Sequence, residues 1–201
     1  MGWARRGRGR GRGAPHPPSD LVLPPEACAA DVSVNTVCNY FPAKEDLFFD
    51  RSAGVVEQLS RWVRARDKGE SAARTVLREL RAEAEAVSPR LGLMEGYDRF
   101  MRVIHEVPPL RSRLWSLQQE IHDHLEATLR EEAGASAGDP LPGLIAGQIA
   151  WIHQTVFVAV GREMLKGHNP DEVSREMLVL LDDIEELLSA KVLNYAVRGA
   201  Q

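Results

Sequence analysis

Cysteine is scarce in this sequence: 201 residues contain two, Cys28 and Cys38. Such usage excludes a disulfide framework and a paired-cysteine zinc cluster, and it fits a reducing compartment, so a cytoplasmic protein is expected. Long apolar runs are also missing, since even Ile145 to Val160 is interrupted by Gln148, His153 and Gln154. The N-terminus lacks the apolar core of a signal peptide. No membrane partner is therefore expected. Glycine-rich phosphate loops and nucleophile elbows are absent, which argues against an enzyme and against a bound cofactor. No stretch alternates as a strand would, so the expected fold is all-α.

What is present is unevenly placed. Net charge is −4, yet Arg5, Arg6, Arg8, Arg10 and Arg12 give the first thirteen residues +5, leaving −9 for the remainder. Residues 1–25 are rich in glycine, arginine and proline without helical or strand periodicity, and they read as a disordered basic arm. Such an arm is either a solvated tail or a nonspecific contact to nucleic acid. Between Pro24 and Arg51, five acids stand against two bases, an unfavourable balance for phosphate binding.

The stretch Val32 to Leu47 carries the most information. On a helical wheel Val34, Val37, Cys38 and Phe41 share one arc, and Asn35, Thr36, Asn39 and Tyr40 fill the opposite one. One face packs, while the other offers short, uncharged hydrogen-bonding groups suited to base edges and phosphate oxygens. Ser33 is a good N-cap, Pro42 ends the helix after about two turns, and Lys44 opens a second helix. The spacing predicts a short helix, a tight turn and a long helix over 45–66, with Phe48, Val55, Leu59 and Trp62 inward. Further helices are expected over 71–87, 91–107, 110–132, 144–165 and 171–197. The fourth of these, 144–165, is apolar almost all round. The last has Val173, Met177, Leu180, Leu181, Ile184, Leu187, Leu188 and Val192 near a heptad seam. Together they predict an antiparallel pair that docks on a second copy of the chain.

Ala30, Val32-Ser33, Thr36, Tyr40-Phe41 and Lys44-Glu45-Asp46-Leu47 follow the pattern of the TetR family of transcriptional repressors, which this sequence resembles. The resemblance implies a helix-turn-helix over 26–50, a helical ligand-binding and dimerisation domain over 51–201, and a homodimer on a palindromic double-stranded DNA operator. It implies that Thr36, Tyr40 and Lys44 touch phosphates and that Ser33, Val34, Asn35 and Asn39 lie at or near base edges. It also implies a small-molecule effector, for which Tyr97, Phe100, His105, Trp115, His122, Trp151, His153 and Phe157 are the candidate contacts, because ligand sites combine aromatic walls with a few polar groups. Two positions depart from the family pattern: Cys38 stands where an aromatic is usual, and glycine-, arginine- and proline-rich sequence stands where the family has its first helix. A helical dimer that has lost DNA binding is therefore the alternative. A metal-binding helical protein is the other, since Glu120 with His124 and His122 with Glu126 fall at i, i+4.

Overall fold

The computed structural model describes residues 52–199. The helix-turn-helix motif expected over 26–50 lies outside them. Among the described residues every regular element is helical, as the apolar periodicity predicts. In chain order these are α1 (Ser52–Val56), α2 (Gln58–Ala65), α3 (Ala72–Glu85), a 3-10 turn (Pro89–Leu91), α4 (Tyr97–Glu106), α5 (Pro108–Glu132), α6 (Leu141–Leu165), α7 (Pro170–Leu187) and α8 (Ala190–Leu193).

The described part of the expected 45–66 helix is divided at Glu57, and the Arg61 guanidinium spans the break by donating to the Gly54 carbonyl at 2.9 Å. Ser71 caps α3 by accepting from the Arg74 amide. The helix expected from Leu91 begins only at Tyr97. Gly92 and Gly96 both adopt the left-handed conformation, which closes the 3-10 turn and delays the next helix. A Cβ on Gly92 would lie 2.4 Å from the Tyr97 ring, so this position also lets the ring lie flat on the backbone. Pro108 and Pro109, expected to precede α5, instead occupy its first turn, where a missing amide hydrogen costs nothing.

The long helix α6 is the core. Ile145, Ile149, Ile152, Val156 and Val160 are buried along it, and α4, α5 and α7 pack around it. Contrary to the sequence expectation, α6 is long and apolar enough by composition to cross a membrane, with a mean hydropathy of 1.4 over its best window. Half of that window is buried inside the protein. A capping box between Asn169 and Glu172 starts α7, which lays Val173, Met177, Leu181 and Ile184 into the same core. The helix expected to reach Val197 ends at Leu187. Ser189 caps a separate turn, α8, whose Val192 is buried within the same chain and cannot extend an outward seam.

Beyond α8 the chain runs back along the connection between α2 and α3. The amides of Gly69 and Ala72 donate to the carbonyls of Arg198 and Tyr195, and the Arg198 amide donates to Glu70. At the centre of this clasp lies Arg66, whose side chain is only 2% exposed. Its guanidinium donates to the carbonyls of Val63 and Ala196 and to Glu132 of α5 at 2.6 Å. Ser60 of α2 adds a second tie to α5, bonded to Nδ1 of His124 at 2.9 Å. Arg66→Ala removes the partner of the Glu132 carboxylate and of the Ala196 carbonyl, and is expected to destabilise the protein by about 2 to 4 kcal/mol in urea unfolding. Arg64→Ala, on a largely exposed pair with Glu131, should leave the midpoint nearly unchanged.

Candidate functional site

The DNA-contact residues implied by the family resemblance, Ser33, Val34, Asn35, Thr36, Asn39, Tyr40 and Lys44, lie outside the described residues. The eight candidate ligand contacts are all described, and they divide among separate locations.

Tyr97, Phe100 and Phe157 form an aromatic cluster between α4 and α6. The Tyr97 ring meets Phe157 edge-on at 6.2 Å and lies tilted on Phe100 at 5.8 Å. The Tyr97 hydroxyl is buried without a hydrogen-bond partner among the described residues, and burial raises its pKa. His153 is the second such group. Its Nδ1 has no partner, and desolvation pulls the imidazole down to about 4. His153 and Phe157 share a void of about 10 Å³ with Gln58 and Trp62 of α2, which is room for no more than one water.

His105, Trp115 and Phe157 come together in a different place, a cleft of about 200 Å³ bounded by α4, α5 and α6. Ile104, Leu114 and Val158 complete its apolar lining, and Arg111, Gln118 and Gln154 join His105 as its polar groups. Sequence reasoning missed Arg111, Gln118 and Gln154, because polar residues on an amphipathic helix look like solvated surface. Trp151 belongs to neither location. It faces outward on α6, beside an open groove shared with Val158 and Leu180. His122 lies elsewhere again, near the start of α6, with Nε2 3.3 Å from the Gly143 carbonyl and Nδ1 3.1 Å from Asp123.

The metal alternative expected at 120–126 is not assembled. Glu120 pairs with Arg113 at 2.6 Å, Glu126 with Arg130 at 2.6 Å, and His124 with Ser60. A different trio, Glu163, His168 and Glu176, has potential ligand atoms within 4.8 Å of one another, a grouping no sequence spacing announces. Glu163 already accepts from Arg162 and Lys166, and these bonds hold its carboxyl below the usual range. Two neighbouring cations oppose a third.

Searches of protein-family models, curated proteins and solved structures find no match to this chain.

The buried His153 has a thermodynamic consequence. Its folded pKa lies below the ordinary 6.5, so the unfolded chain takes up the proton first as pH falls. The resulting stability is complete above pH 6.5 and is lost as pH falls toward 4. Its size is about 3 kcal/mol. Unfolding titrations at both ends of this window should show the wild type losing about 3 kcal/mol more than His153→Leu.

Proposed function

We propose that this chain is a DNA-binding transcriptional regulator of the TetR type, a non-catalytic homodimer that represses from a palindromic operator and responds to a small molecule. The observation that carries the reading is an unpartnered apolar stripe on the helix pair following the Val32 to Leu47 motif. Leu144, Trp151 and Val158 recur every seven residues on α6 and are 62%, 48% and 54% exposed, with Val179 and Leu187 exposed on the adjoining α7. Burying each such side chain against a second copy contributes about 1.5 to 3 kcal/mol. The two-fold axis of that dimer would space two recognition helices about 34 Å apart, in successive major grooves. On α7 the stripe stops at Leu187, so the docking face is α6 with the helical part of α7, without the 188–197 segment.

In this mechanism α1 and α2 are the lever between motif and body. An effector that prefers a dimer with another head spacing lowers operator affinity by its coupling energy, about 1 to 3 kcal/mol. A second reading, a helical dimer without DNA binding, is favoured by the acidic balance of residues 24–51 and the glycine-, arginine- and proline-rich sequence before the motif.

Two measurements test the proposal. Sedimentation velocity should show a dimer that Trp151→Glu with Val158→Glu converts to a folded monomer. Fluorescence anisotropy against DNA from upstream of the chain's own gene should give a salt-dependent shift that Tyr40→Ala with Lys44→Ala abolishes. A dimer that shifts no DNA at any salt selects the second reading, and a monomeric wild type sinks both.

A further inference from the structure

We propose that the cleft between α4, α5 and α6 binds a small aromatic carboxylate, with Arg111 as the partner of the carboxylate and Trp115 and Phe157 as the walls for the ring. The effector role of that ligand rests on the regulator reading above. Its chemical class follows from the cleft. The lining includes a cation, Arg111, and no carboxylate. Arg111 forms no ion pair among the described residues, although most arginines on α3 and α5, such as Arg74, Arg78, Arg81, Arg113 and Arg130, do. The guanidinium fork matches a carboxylate in two parallel hydrogen bonds.

The other polar groups of the cleft are equally uncommitted. His105, Gln118 and Gln154 make no side-chain hydrogen bond among the described residues, whereas Gln119, one position along α5, is bonded to Asp123 at 2.7 Å. These three supply donors beside the cation, enough to orient an anion or a ring substituent. The remaining lining is apolar, and Trp115 is left 70% exposed, an unusually large indole surface for a protein to leave in water. Size narrows the class further. A cavity of about 150 Å³ takes one benzene ring. One of about 200 Å³ has room for a substituted or fused ring.

Calorimetric titration of the full chain with benzoate, with naphthoate and with the matching amides tests this without DNA. Saturable binding is expected, with naphthoate at least tenfold tighter than naphthamide. Arg111→Met should erase that preference, and Trp115→Ala should weaken acid and amide alike by about tenfold. Both positions are exposed, so each variant should keep the wild-type helical circular dichroism and thermal midpoint. Arg111→Lys, which keeps the charge and loses the fork, should fall between wild type and Arg111→Met. Equal affinity for acid and amide, an acid preference surviving in Arg111→Met, or no saturable binding of either probe would each overturn the proposal. Because the titration contains no DNA, its failure leaves the operator measurement standing, and a chain that binds naphthoate but shifts no DNA overturns the regulator reading alone.

Discussion

A nearly buried guanidinium sets the position of everything at the N-terminal edge of the described body. Arg66 follows directly on α2, and its hydrogen bonds reach three separate parts of the chain: the end of its own helix, Glu132 at the end of α5, and Ala196 in the C-terminal segment. A charge so far removed from water is tolerated only when its donors are satisfied. The segment between α2 and α3 is thereby held in register with residues 195–198. Ala196, whose carbonyl accepts from the guanidinium, has a positive φ, an unusual conformation for a residue with a side chain. Through Arg66 and Ser60, α2 and the residue after it are tied to α5 at two points.

The second constraint is the composition of α6. A helix apolar on nearly all sides has to be covered on nearly all sides, and α4, α5 and α7 cover only part of it. Gly161 leaves room for the end of the Met101 side chain of α4, whose terminal methyl would lie 2.8 Å from a Cβ there and would have to turn aside for a larger residue. Leu144, Trp151 and Val158 are left largely in solvent. One helix thus supplies the core, a wall of the small recess beside α2, a wall of the cleft and the exposed stripe.

The helical class and the order of the long helices were legible in the sequence because apolar residues at 3.6-residue spacing mark a buried stripe whatever it packs against. The ends were less so. Leu91 and Leu93 are buried and fit the periodicity of the helix that follows, yet the glycines at 92 and 96 keep that segment out of it. Leu188 and Val192 continue the heptad pattern of α7, but Ser189 caps a new turn, a signal that apolar spacing overrode. The burial of Arg66 was not legible, since its partners are contributed by α5 and the C-terminus, far along the chain. Selecting ligand contacts by residue type found His105, Trp115 and Phe157 together. It could not separate Trp151, which lies on the same face of α6 but in the neighbouring groove, or His122, one turn further along α5 than Gln118.

Phe157 is a wall common to two spaces of very different size, the open cleft and a small recess beside Trp62 and Gln58 of α2. The recess admits no more than one water. A ring turned out of the cleft wall would meet Trp62 and Gln58, so one side chain belongs at once to the cleft and to the packing of α2.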